Sequence, residues 1–350
     1  MSQKSWMPNS LRMTRSKLVS LLGASLVLFA ASSAASAQTL DKVKARGKLL
    51  CGTSQGVPGF SVPDDQGKWT GFDVEYCRAI AVAIFNDPSK IDYLPLSSKD
   101  RFAALQSGEV DVLPRTITWM FSRDVQIGLD FTAINYYDGS GFMVPSKSGL
   151  KSAKELGGAS ICFPTGTTTE LSVADFARIN KIKYEPVTFT SFDEAIQAYV
   201  SGRCDAFASD TSQLYAHRAK LPRPEDHTVL PEVISKEPLS PAVRQGDSRW
   251  RDLITWVHFV MLIAEEQGVT SANVDEMLKS TNPDIRRLLG VEGQYGEALG
   301  VKNDWGYQII KQIGNYGEVF ERTLTKRLGI ARGINKQWSE GGLQYAPPLR

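Results

Sequence analysis

This sequence predicts an α/β fold in two lobes, on three observations. Strand-like and helix-like patterns alternate from Lys48 onward, and the alternation restarts after a Ser-, Lys- and Gly-rich stretch at 146–160. The chain is also long enough, with 350 residues of which 42% are hydrophobic, to fill two separate cores.

In the first round "KLLCGTS" (48–54) is a short apolar strand running out into small hydroxyl residues. "FDVEYCRAIAVAIF" (72–85) sets Val74, Cys77, Ile80, Ala81 and Ile84 at helical spacing, one apolar face for burial on a sheet. "KIDYLPL" reads as a strand, "DRFAALQSG" as a helix closed by glycine and "EVDVLPRTIT" as a further strand. Such a rhythm needs crossover connections, hence a largely parallel sheet. In the second round "SICF", "KYEPVTF" and "RCDAFASD" are strands, with "TTTELSVADFARIN" and "FDEAIQAYVSG" as helices between them. The Pro-rich "VISKEPLSPAVRQGD" (233–247) is extended and is expected to cross back to the first lobe. "WRDLITWVHFVMLIAEE" is a strongly apolar helix, and residues 268–350 read as helices broken by Gly and Pro, extra packing for the first lobe. The expected divisions are 38–145 and 239–350 for the first lobe with its C-terminal helical extension, and 146–238 for the second.

The first 37 residues stand apart. Lys4, Arg12, Arg15 and Lys17 precede an apolar run, Leu18 to Ala31, and Ala35-Ser36-Ala37 follows. A basic region, a short apolar core and a small-x-small site describe a secretory signal peptide cut after Ala37. The run is shorter than the roughly 18 residues a spanning helix requires. Without these residues 36 basic face 38 acidic ones, which gives no basic face for nucleic acid. Cys51, Cys77, Cys162 and Cys204 are an even set, and export favours disulfides. Of three possible pairings, one bond within each lobe makes Cys51–Cys77 and Cys162–Cys204 the economical choice. His217, His227 and His258 are the sole histidines and none has a metal-site spacing with cysteine, so no metal or other cofactor is expected.

In parallel sheets ligands lie beyond the carboxyl ends of the strands. Three predicted strands end in hydroxyl or charged residues: "RTIT" with Thr116 and Thr118, followed by Arg123; "PTGTTTE" (164–170); and "CDAFASD" ending at Asp210. "PTGTTTE" lacks the lysine of a phosphate loop. Thr167 and Glu170 fit a capping box, while the helix start offers amides and a positive dipole to an anion. Arg123 either clamps a carboxylate or pairs with Asp124 at the surface. Asp210 either holds an ammonium or caps the helix that follows. Together an arginine, an anion-binding helix start and an aspartate describe a zwitterion such as an α-amino acid.

These motifs resemble the periplasmic amino-acid-binding proteins of ABC importers, and within them the general L-amino-acid-binding type. "GFDVEYCRAIA", "ALQSGEVDV", "TITWMFSRD", "GTTTE" and "SGRCDAFASD" occur in order over roughly residues 40 to 260, and "GNYGEVFERTL…GGLQYAPPLR" is similar to the longer general subgroup. The resemblance implies a type II clamshell of two lobes joined by two hinge strands. It implies that Arg123 grips the α-carboxylate, Thr118 bonds the ligand and Thr168, after Gly166, donates to the carboxylate. Asp210 would hold the α-amine and Phe60 cover the ligand. Thr116 and Ile117 stand where the family has glycine and methionine, and Met120 replaces its second threonine. Ser54 replaces the acidic residue of receptors for cationic ligands, and Val57 a tyrosine, which points to broad specificity. Trp119 and Trp69 are candidates for the side-chain pocket, with Trp69 more at home in the core. The implied protein is a periplasmic monomer, not an enzyme, that passes L-amino acids to a membrane permease. A dehydratase on the same fold and a sensory module are the alternatives.

Overall fold

The computed structural model describes residues 39–350, and the predicted export signal (1–37) lies outside them. In chain order the strands are β1 (Leu49–Ser54), β2 (Val62–Pro63), β3 (Trp69–Thr70), β4 (Ile91–Leu96), β5 (Leu129–Phe131), β6 (Tyr136–Asp138) and β7 (Ser140–Pro145). They continue as β8 (Ser160–Pro164), β9 (Glu185–Phe189), β10 (Ala206–Asp210), β11 (His227–Val229), β12 (Glu237–Leu239) and β13 (Ala242–Arg244). The expected helices form at Phe72–Phe85, Arg101–Ser107, Thr168–Asn180, Phe192–Val200 and Ser248–Glu266.

In the first lobe β1 and β4 pair in parallel. Cys51 bridges Val112, Leu113 bridges Ala242, and β13 pairs antiparallel with β5, so the layer continues across the chain. "EVDVLPRTIT" is thus not the continuous strand its composition suggests. Pro114 has no N–H to give a ladder, and Thr116 has a φ of 43°, outside strand geometry.

The second lobe carries a five-stranded sheet in the order β11-β7-β10-β8-β9. β8 runs parallel to β9 and β10, whereas β7 pairs antiparallel with β10 and β11 antiparallel with β7 at one side. Phe142, Ile161, Phe163 and Ala208 fill the core on one face, and Met143, Cys162 and Phe207 that on the other. The period of two with both faces apolar is what a sheet covered on both sides requires. Cys51 is bonded to Cys77 and Cys162 to Cys204, one disulfide in each lobe.

Between the lobes β6 and β12 pair antiparallel, with Asp138 opposite Glu237. The C-terminal extension packs into the first core: Ile309, Ile310, Tyr316, Phe320 and Leu324 are fully buried among Phe72, Tyr76 and Trp250. It also reaches β6, where the Asn335 side chain accepts from the Tyr137 amide at 2.7 Å and donates to its carbonyl at 2.9 Å.

Candidate functional site

Five chain segments meet at a cavity of about 20 Å³: the ends of β10 and β4, the turn after β8, the loop carrying Thr116, Thr118 and Arg123, and the helix start at Phe192. That is room for about one water. Ser122–Gln126 winds as a π-helical turn, a local widening common at functional sites. Arg123 on this turn is 5% exposed, and its Nη1 donates to the Thr118 carbonyl at 3.0 Å. The surface pair with Asp124 does not form, because Asp124 accepts from Trp119 Nε1 instead. Burial draws the Arg123 guanidinium down to about 10, opposed by the charges of Glu237 and Asp210, so it stays cationic at neutral pH. Thr116 holds its positive φ on a β-branched residue, a strained backbone at the cavity wall.

The turn after β8 differs in one respect from the expectation. Thr167 precedes the helix Thr168–Asn180, but its hydroxyl donates to the Pro164 carbonyl at 2.8 Å and no side chain caps the first turn. The capping box with Glu170 is therefore absent, and the helix start keeps its donors for another acceptor. Gly166, at φ +74°, meets the first lobe closely: a methyl there would sit 3.3 Å from the Ser98 carbonyl oxygen. Thr168 Oγ1 and Thr118 Oγ1 lie 3.4 Å apart, one from each lobe.

Asp210 is buried and does not cap the helix Thr211–Arg218. Its carboxylate accepts from Gln213 Nε2 at 3.0 Å and from Ser140 Oγ at 3.3 Å. Burial, then the neighbouring Asp138 and Glu237 charges, hold its carboxyl well above the usual range. Phe60, expected over the ligand, is instead fully buried in the first core, edge-on to Phe72 and Tyr136 at 6.2 and 5.5 Å. Burying that ring there contributes about 1.5–3 kcal/mol, which leaves nothing to hold it at the cavity. Trp69 packs beside Tyr93 and Trp119 stacks on Phe131, and neither lines the cavity.

A family model, that of the bacterial extracellular solute-binding proteins, family 3, matches residues 49–261. The chain belongs to that family. This solute-binding protein is 51% identical over 340 residues to the general L-amino acid-binding periplasmic protein AapJ of Rhizobium johnstonii, covering 96% of this chain and all of the relative. It is 52% identical to the glutamate/glutamine/aspartate/asparagine-binding protein BztA of Rhodobacter capsulatus, over 91% of this chain and 95% of that one. A solved structure, an ABC transporter periplasmic binding protein from Brucella ovis with glutathione bound, is 57% identical. It superposes with a TM-score of 0.88, covering 90% of this chain and 100% of that one. The family and the two-lobed fold are thus those that the motifs resemble.

Two charged residues at or behind the solute-binding protein's cavity, Arg101 in its wall and Glu237 behind Thr118 and Thr168, had no role in the sequence-based expectation. Arg101 is 3% exposed and lines the cavity; Nη2 donates to the Gly166 carbonyl at 3.4 Å, while Nε has no partner among the described residues. Burial, then the charges of Arg115 and Arg123, pull its guanidinium well below the usual value. A signal existed, since Arg101 follows the end of β4, a fourth parallel strand obeying the same rule. Glu237, 2% exposed on β12, had no such signal. It lay within a Pro-rich stretch that read only as a crossing.

Proposed function

We propose that this protein captures L-amino acids with a broad range of side chains and delivers them to the membrane permease of an ABC importer. One observation carries the reading: a single cavity gathers the guanidiniums of Arg123 and Arg101, neither ion-paired among the described residues, with the carboxylate of Asp210. Buried charges of both signs without direct partners suit a zwitterion, which supplies both. In this reading Arg123 clamps the α-carboxylate through two parallel bonds, helped by the dipole of the helix Thr168–Asn180, and Asp210 holds the ammonium. Arg101 is free for a second carboxylate or an amide carbonyl. The names of the relatives, which include acidic and amide amino acids and a bound tripeptide with two carboxylates, support that assignment.

An amino acid does not fit a cavity of about 20 Å³, so entry requires the lobes, 38–145 with 239–350 and 146–238, to part about the crossing strands. Residues 1–37 serve as the export signal in this reading, and the protein works as a periplasmic monomer. Among the described residues no helix is long and apolar enough to cross a membrane. Thermal melts of the mature chain with the twenty L-amino acids and glutathione test the proposal. Several ligands of different charge class should each raise the midpoint by roughly 5 °C at about a hundred times Kd. A flat response to all of them would sink the reading, and a response to one charge class alone would refute its breadth.

A pH dependence follows. Burial raises the Asp138 carboxyl to about 7, and Asp210 is raised by burial and by Asp138. The ammonium favours the ionised forms, so its arrival lowers these raised values and expels protons. Affinity should be full only above the raised values of the free site and fall as pH drops through them. Calorimetry in buffers of different ionisation enthalpy should register proton release at pH 7. Affinity constant from pH 8 to pH 5 would contradict the arrangement.

A further inference from the structure

We propose that Glu237 is a positioning residue for the ligand's ammonium, acting through the hydroxyls of Thr118 and Thr168 and adding a negative charge beside Asp210. The inference rests on the amino-acid reading above. Glu237 stands on β12, opposite Asp138, where the chain crosses between the lobes. One of its carboxylate oxygens, Oε2, accepts from Thr118 Oγ1 of the first lobe and from Thr168 Oγ1 of the second, the latter at 2.8 Å. The other, Oε1, accepts from Ser235 Oγ at 2.5 Å and from Ser140 Oγ at 3.2 Å. Ser140 also reaches Asp210 Oδ1 at 3.3 Å, so its one hydrogen is contested between the two carboxylates.

A hydroxyl has one hydrogen to give and two lone pairs to offer. With their hydrogens held by Glu237, Thr118 and Thr168 cannot donate to a carboxylate, and their free lone pairs are acceptors. This revises the role that the resemblance implies for Thr168. Carboxylate recognition falls to Arg123, Arg101 and backbone amides, and the threonine oxygens join Asp210 in receiving an ammonium. Glu237 thereby sets the hydrogen-bond polarity of one residue from each lobe; glutamine in its place removes the negative charge and turns one of the two accepting oxygens into a donor.

The test compares L-glutamate with L-2-hydroxyglutarate, which differs by a hydroxyl in place of the ammonium, in calorimetry on the mature chain and on Glu237→Gln. Glu237→Gln should lose at least tenfold in affinity for L-glutamate and no more than threefold for the hydroxy acid, so discrimination between them collapses. Equal losses for both would make Glu237 a purely structural residue, and an unchanged or raised affinity for L-glutamate would make it a bystander or a competitor; each result overturns the proposal. If Glu237→Gln does not fold, Thr168→Val removes one of the two hydroxyls and should show the same selective loss; equal losses there overturn the proposal as well. Failure of the amino-acid reading looks different: the unmodified protein would not bind L-glutamate at all, and both readings would fall.

Discussion

Replacing Arg123 by alanine is expected to weaken binding of L-amino acids by about 2–5 kcal/mol, roughly thirtyfold to several-thousandfold. The guanidinium is buried and tied back to the Thr118 carbonyl, so its remaining donors need no reorganisation to meet a carboxylate. Without it the ligand's carboxylate is buried with one charge partner fewer, and an unpaired buried charge costs several kcal/mol. Lysine at 123 restores the charge without the planar fork, so recovery should be partial. Asp210→Ala should produce a loss of similar size through the ammonium. The free protein should behave in the opposite way. Arg101, Arg115 and Arg123 are three buried cations whose charges oppose one another, and removing one relieves that repulsion. The melting temperature of Arg123→Ala without ligand should therefore hold or rise. Calorimetry showing near-unchanged affinity in both variants would overturn the site, and a drop in the free protein's stability would turn Arg123 into a structural residue.

Ending the chain after Gln267 should prevent the first lobe from folding. The extension is not a layer added to a finished core. Tyr316 and Phe320 meet Phe72 edge-on at 5.9 and 6.0 Å, and Phe320 stacks on Tyr136 at 5.9 Å. Tyr316 also donates from its hydroxyl to the Asn135 carbonyl at 3.0 Å, just before β6. Each large apolar side chain buried contributes about 1.5–3 kcal/mol, and a domain's whole margin is about 5–15 kcal/mol. Losing Ile309, Ile310, Tyr316, Phe320 and Leu324 together, all fully buried, removes a contribution comparable to that whole margin. The truncated protein should be insoluble or lack the near-ultraviolet circular dichroism of the full chain. A soluble truncation with that signal intact would show that the 39–267 core closes on itself.

Much of this was written locally. Helix Phe72–Phe85 and helix Thr168–Asn180 form where the residue pattern places helices; the second buries one face through Thr169, Val173 and Ala177, whereas the first is buried nearly all round because the C-terminal extension covers its other side. Gly108 ends the helix Arg101–Ser107 at φ 85°, as its residue type allows. The short antiparallel strands β5, β6, β11, β12 and β13 were not legible, since two or three residues carry no period and their partners lie far away in sequence.

The sequence by itself determined the alternation of strands and helices, the even set of cysteines, and the placing of Arg123, Thr118, Thr168 and Asp210 at the ends of predicted strands. Those follow from residue type and spacing along the chain. Only the tertiary structure decided that Phe60 belongs to the core, that Thr167 does not cap its helix, that Arg101 lines the cavity and that Glu237 stands behind two of its threonines. The physical reason is common to all four. A side chain's direction is chosen by what it can bury or hydrogen-bond in three dimensions. For Glu237 those partners are hydroxyls at positions 118, 140, 168 and 235, which no local pattern brings together.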